Sequence, residues 1–336
     1  MKHPIFAIYL LIVTLTITVL SSCDRANMYD LAKNGPDLVF AITDDGATYN
    51  TVIISDGRDY TREYLNEGPY FSPTNLFVND RGDLMVTVSG ASVYITSNGY
   101  SNWEGPFPDP GTGSYAGIAG IGNDFYLLMD AGGSFYIYRF DKNTNSWVDQ
   151  QDIYSALTGA AELASKSNGI FALVTELAST DYYYYIYNLN DMQVNQIAAY
   201  NNGPSGLTLP FVYLSYNDGL TYLGGASYFV RSSGSSFNTI ANGLSGITGY
   251  AVTETGRYAA LSSSDVLCFD GSVFVTIFSF SAASGDQVLP LSGSKIVVSS
   301  SGSPGSADNG LLVFDLEDKS LNTHVTSKNV AGIDVM

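Results

Sequence analysis

Residues Phe125 to Trp147, FYLLMDAGGSFYIYRFDKNTNSW, decide the fold. Two apolar runs flank Gly132-Gly133, and the second closes on Tyr138, Phe140 and Asp141 before a polar turn leads to Trp147. Short runs rich in aromatic and branched residues, joined by a glycine pair that accepts a tight turn, read as an antiparallel hairpin. The stretch predicts a compact all-β unit with its punctuation intact.

The unit recurs along the chain. Tight turns built on Gly, Asn or Asp fall at Asn79 to Asp83, Gly122 to Asp124, Ser167 to Gly169, Asn217 to Gly219, Glu254 to Gly256 and Ser292 to Ser294. Their spacing of about 40 to 50 residues is the period of a four-stranded propeller blade. The Gly pair, the Tyr-Asp ending and the downstream Trp resemble a kelch repeat, which implies that each unit is one blade of a β-propeller. Six units are visible between about Tyr70 and Val330. Asp37 to Leu65 supplies further strands but lacks the first strand of the pattern. Val330-Ala331-Gly332-Ile333, at the other end, matches Tyr115-Ala116-Gly117-Ile118 and Leu244-Ser245-Gly246-Ile247. The expectation is a single all-β propeller of four-stranded antiparallel blades, closed by the C-terminal strand. Seven blades are expected, with six and eight as the alternatives, and closure leaves no open edge between first and last. Thr96 to Trp103 resembles a degenerate Asp-box, which in its families is a structural turn and not an active centre.

The N-terminal residues address the compartment. Lys2 and His3 precede the apolar run Ile5 to Leu20, and Leu20-Ser21-Ser22-Cys23 follows. A charged segment, a short apolar core and small residues describe a secretory signal peptide. Leu20 to Cys23 resembles a bacterial lipobox, which implies cleavage before Cys23 and a diacylglycerol thioether, with palmitate, on that residue. Residues 1–22 are then a signal peptide, 23–36 a polar tether and 37–336 the propeller domain. One acyl chain binds a membrane only marginally, whereas two or three hold stably. An extracytoplasmic, membrane-anchored lipoprotein is expected. Asp24 resembles the residue that retains enterobacterial lipoproteins in the inner membrane, but inner membrane, outer membrane and cell surface all stay open.

Composition narrows the function classes. Of 336 residues, 45% are hydrophobic and only 14% charged, with 34 Gly and 25 Tyr, which fits short strands and tight turns. The formal net charge of −18 lacks the basic footprint that nucleic acid requires. With Cys23 acylated, Cys268 has no disulfide partner, and it sits in an apolar strand as a buried thiol. The two histidines are His3 and His324, so a His-based zinc site or a Ser-His-Asp centre is not expected. The acidic turns Asp44 to Gly46, Asn79 to Asp83 and Asn188 to Asp191 read as side chains bonding their own backbone, not as metal loops. Neither a metal nor a cofactor is expected. Arg81 and Arg257 fall at turns on the wrong face for a sialidase carboxylate clamp.

The leading expectation is a monomeric binding protein for another envelope protein or a glycan. The alternative is a glycoside hydrolase or lyase on the same fold, which would need two carboxylates from different blades converging at the channel mouth. Long loops on a rigid scaffold are where binding residues concentrate. They fall at Asp44 to Asn50, Asn66 to Asn75, Gly105 to Tyr115, Glu176 to Asp181, Asn201 to Pro210 and Ser301 to Asn309, all on one face. Tyr70, Phe71, Phe107, Asp109 and Tyr115 are the candidate contact residues, as one aromatic-acidic patch. Trp103 and Trp147 are expected to pack between blades. Replacing Cys23 by Ser is expected to abolish palmitate labelling and signal release by the lipoprotein peptidase; a Cys23→Ser protein still labelled and membrane-bound would refute the lipobox.

Overall fold

A computed structural model describes residues 37–55, 61–65, 70–88, 92–96, 102–111, 113–132, 134–155, 161–166, 169–178, 181–190, 193–200, 213–217, 220–233, 236–303 and 306–336. The proposed signal peptide, Cys23 and the tether lie outside these residues, as do most of the Asp-box stretch and Asn201 to Pro210.

Every regular element among the described residues is a β-strand, and the strands form seven four-stranded antiparallel sheets. Within each sheet the strands lie side by side in the order A to D. The A strands are Asn329–Val335, Pro73–Val78, Ser114–Ile121, Ala161–Lys166, Tyr213–Asn217, Ile247–Val252 and Ala283–Pro290, for blades 1 to 7. Consecutive A strands touch around the whole ring, from blade 1 to blade 2 and onward back to blade 1, so they line a central axis. The sheets are therefore the blades of a β-propeller.

Blade 1 joins the two ends of the chain. Its B strand, Leu38–Asp44, pairs with Asn329–Val335, setting Val39 opposite Val335 and Asp44 opposite Asn329. The ladder continues past the strand ends, where Leu38 N donates to Met336 O at 3.1 Å and Met336 N to Leu38 O at 3.0 Å.

Alternation along each strand supplies both faces of a blade with apolar side chains. Phe40, Ile42 and Ile53 pack toward blade 2 against Leu76, Leu84 and Val86, while Val39, Ala41 and Ile54 pack toward blade 7 against Val297, Leu311 and Val313. All of these are at most 2% exposed, so the core is a series of layers between blades and not one central nucleus.

The A-to-B turns clasp neighbouring blades on what is here called the narrow-turn face. Asn79 Oδ1 accepts from Arg81 N and Asp83 N, holding the turn shut, while Asn79 Nδ2 donates to Asn123 O of blade 3. Asp80 N donates to Gly122 O at 2.8 Å. Blades 6 and 7 repeat the device: Thr253 Oγ1 accepts from Arg257 N, and Thr255 N donates to Gly293 O. Asp37 extends it to blade 1 by accepting from Ser292 N. The acidic turn Asn79 to Asp83 is thus a structural clasp, and Arg81 lies in it, as expected.

Two expectations need correction. The blade 6 counterpart of Ala116-Gly117 is not Ser245-Gly246 but Thr248-Gly249, three residues later. In both strands the register shifts just before the glycine, between Tyr115 and Gly117 and between Ile247 and Gly249. Glu176 to Asp181 is not a long loop, because Gly169–Ala178 and Asp181–Asn190 pair up to Ala178 opposite Asp181. Trp103 and Trp147 do pack inward, edge-on to Phe71 and Phe140 respectively.

Deleting Val330 to Met336 removes the inner strand of blade 1 and leaves Leu38–Asp44 with an unpaired edge. Losing buried Val330 and Ile333 alone forfeits roughly 3 to 6 kcal/mol of burial. The truncated protein is expected to melt at lower temperature over a broader range, measured by calorimetry; a melt as sharp and as high as that of the whole chain would refute closure.

Candidate functional site

The opposite face, which carries the B-to-C and D-to-A connections, is the long-loop face. It opens a cavity of about 350 Å³ between the inner ends of blades 2 and 3. Thr74, Asn75 and Phe77 come from the A strand of blade 2, Thr87 and Val88 from its B strand, and Tyr115 to Ile118 from the A strand of blade 3.

Glycine and bulges create this opening. At the far end of the two A strands the blades touch: a Cβ on Gly120 would lie 2.1 Å from the Val78 carbonyl oxygen. At the near end each strand carries a β-bulge, between Pro73 and Asn75 and between Tyr115 and Gly117. A bulge inserts an unpaired residue and sharpens the local twist. The same shift occurs at the matching place in blades 1, 6 and 7, at Ala331, Thr248 and Asp286. The strands are pinned together at one end and splayed at the other, which gives the cavity its depth.

The polar groups of the cavity are held in fixed orientations. Thr74 Oγ1 lies 2.9 Å from Thr87 Oγ1 and 3.1 Å from Thr87 O. Asn75 Oδ1 accepts from Leu76 N at 2.9 Å and from Gln287 Nε2 at 3.1 Å. Gln287 belongs to blade 7, so this bond spans blade 1, and Gln287 Oε1 accepts from Ile333 N of that blade at 2.9 Å. Gly332 makes the span possible, since a Cβ there would lie 2.6 Å from Leu76 N.

The five candidate contact residues separate into two groups. Phe107, Asp109 and Tyr115 belong to the junction of blades 2 and 3: Phe107 and Tyr115 pack on one apolar cluster, and Tyr115 lines the cavity. Burial pushes the Tyr115 phenol up to about 12, with the Asp109 carboxylate adding to the shift. Asp109 also caps its own turn by accepting from Gly111 N at 2.9 Å. Tyr70, 41% exposed, stands one blade junction away and donates to Asp44 Oδ2 at 3.1 Å. Phe71 is a correction, because it is 7% exposed and its ring lies against Tyr94 and Tyr49, each at 4.1 Å between centroids. It fills the layer between blades 1 and 2 and offers no surface to a partner. Asp44 to Gly46 is a turn of the expected kind, with Thr48 N and then Ala47 N donating to Asp45 Oδ1 and holding that carboxyl down at about 2.

Sequence reading missed Thr74, Asn75, Phe77 and Thr87. The fragment Ala116-Gly117, repeated as Ala331-Gly332, was the available signal, since it marks the bulge.

Three carboxylates among the described residues are raised, each chiefly by desolvation: Asp80 in the A-to-B turn of blade 2, Asp286 of blade 7 and Asp334 of blade 1. Asp286 sits at the bulge of blade 7, near the long-loop face, and desolvation by the surrounding strands raises it. Asp334 lies three residues beyond the corresponding Ala331 of blade 1, about 10 Å further along at the usual rise per residue. It accepts from Val78 N at 2.7 Å and Val335 N at 2.9 Å, yet burial pushes it up to about 7. Asp286 and Asp334 are thus offset along the strands, while Asp80 follows two residues after Val78, the residue that donates to Asp334. Cys268 is buried and its thiol is raised by burial, consistent with a structural role. Among the described residues no group of three His, Cys, Asp or Glu is placed to hold a metal.

No family model matches the sequence, and no curated protein matches it. Solved structures do match. A protein from Lactobacillus plantarum is 12% identical with a TM-score of 0.57, over 90% of this chain and 99% of that one. A catalytically inactive virginiamycin B lyase from Staphylococcus aureus, solved with quinupristin, is 11% identical with a TM-score of 0.52, over 80% and 93%. U3-55K is also 11% identical with a TM-score of 0.52, over 83% and 99%. The shared property is the fold. At such identities it carries no activity or ligand from one propeller to another.

Asp334 makes a pH-dependent prediction. Its pKa in the folded protein, about 7, exceeds the roughly 3.9 of an unfolded aspartate. The native state therefore binds this proton more tightly, and the group's contribution to stability is lost as pH rises from about 4 to about 7. Each unit is worth about 1.4 kcal/mol, and partial exposure to the channel lowers the expected total to about 2 kcal/mol. The stability difference between Asp334→Asn and the parent, followed by denaturant melts across this range, should shift in favour of the variant as pH rises. A constant difference would show that the carboxyl is not raised.

Proposed function

We propose that this chain is a lipid-anchored protein of the cell envelope that binds another envelope protein or a glycan through its long-loop face. The cavity between blades 2 and 3 carries the reading. It combines depth, an aromatic wall and oriented polar groups on a rigid strand scaffold, the combination expected of a recognition site. Leu20 to Cys23 supports anchoring through Cys23, and the acidic composition suits an exposed domain rather than one that grips anionic headgroups. Tyr70 and Asp109 rim the same face, while the Phe107 ring packs on Phe140 at 5.7 Å. The contact residues of this reading are therefore Tyr70, Asp109 and Tyr115, with Phe107 packed into the apolar layer between blades 2 and 3.

Photo-cross-linking side chains at Tyr70 and Asp109, in the intact protein in its own membrane, are expected to form adducts with one envelope protein or glycan. The same group at Asn123, on the narrow-turn face, is expected to form few. Tyr115→Ala should lower the adduct yield at Asp109 about tenfold, equivalent to about 1.4 kcal/mol, without changing the melt by more than a few degrees. Equal yields from the two faces would refute the assignment.

A further inference from the structure

The chemistry of the cavity selects a ligand class, an inference that rests on the long-loop face being the binding face. Its volume of about 350 Å³ stands near the lower end for ligand pockets and suits one ring-sized group. Phe77 and Tyr115 give it an aromatic lining, and Val88 and Ile118 add apolar surface. Thr74 and Thr87 set two hydroxyls side by side. The Asn75 amide is locked by the two bonds to its oxygen, which leaves its Nδ2 hydrogens uncommitted among the described residues. The unpaired backbone at the Ala116 bulge adds a further polar edge.

Charge completes the selection. No lining residue carries a formal charge, and Asp109 stands close enough to act on the Tyr115 phenol. With a net charge of −18 on the chain, an anionic ligand gains no partner and meets repulsion. A cation would find no lining carboxylate. A group with one apolar face and several hydroxyl or amide substituents meets every demand, since the face stacks on an aromatic wall and the substituents bond to Thr74, Thr87 and Asn75.

We infer that the cavity between blades 2 and 3 binds one uncharged pyranose unit of a glycan. Stacking is assigned to Tyr115 or Phe77, and hydroxyl recognition to the Thr74-Thr87 pair and the Asn75 amide. The bond from Gln287 to Asn75 places that amide from two blades away, so Gln287 is a positioning residue.

The test is ligand-observed and titration NMR on the intact protein, held in a detergent without a sugar headgroup. The probes are the methyl glycosides of glucose, galactose and N-acetylglucosamine, with methyl glucuronide as the anionic counterpart. At least one neutral glycoside is expected to bind, and the glucuronide at least tenfold more weakly. Thr87→Val, which keeps the volume and removes a hydroxyl, and Tyr115→Ala should each weaken binding at least tenfold while the fold is retained. Gln287→Leu should weaken binding less, and chiefly for the N-acetylated probe or whichever glycoside the Asn75 amide engages. Binding of the glucuronide as tight as that of the neutral probes, unchanged binding in both Thr87→Val and Tyr115→Ala, or no binding of any neutral glycoside would overturn the inference. If adducts still formed at Tyr70 and Asp109 while no neutral glycoside bound, the binding face would stand and the sugar assignment would fall, leaving a peptide side chain as the occupant.

Discussion

Everything in this ring depends on one ladder of backbone hydrogen bonds, between Leu38–Asp44 and Asn329–Val335. A propeller is a sheet system bent into a circle, and each blade is stabilised by apolar layers shared with its two neighbours. Without the ladder, blade 1 lacks its inner strand, and the layers on both sides of it lose a wall. Val330 and Ile333 belong to the layer that blade 1 shares with blade 7, while Asp334 reaches Val78 of blade 2. Chain closure is therefore a packing event as much as a hydrogen-bonding one.

The same closure reaches the cavity. Gln287 holds the Asn75 amide and is itself held by Ile333, a residue of the closing strand. Gly332 permits the approach by having no side chain to interpose. Three blades thus cooperate to orient one polar group, so the site is an attribute of the assembled ring and not of any single repeat. Such preorganisation would let the proposed site discriminate with neutral groups alone, because little ordering would remain to be done on binding.

The repeat, the strands and the joining of the ends were legible because each is a local pattern: apolar alternation, a turn residue, and an Ala-Gly-Ile fragment that recurs. The cavity was not legible, because its members meet only in space. Thr74 and Thr87 are 13 positions apart and Asn75 and Gln287 are 212 apart. Tyr70 and Phe71 illustrate the limit most directly. They are neighbours on a connection with no periodicity, and nothing in the sequence says that one ring faces solvent while the other fills a layer between blades. The false match at Leu244 to Ile247 has a related cause, since glycines stand at both 246 and 249 and only the strand pairing shows that the second lies beside the bulge. The patch reading drew Tyr115 and Asp109 to the junction that holds the cavity, because loop length and composition do report on exposed connections, but it could not see the strands that line it.

The place where the polypeptide enters the ring has a geometric consequence. Asp37 accepts from Ser292 N, on the side of the disc that carries the clasping turns, and the cavity opens on the other side. A leash attached ahead of residue 37 would act as the stem of a dish. It would turn the clasped side down toward whatever surface held the stem, and the open bowl would look outward, able to swivel but never smothered by its own support.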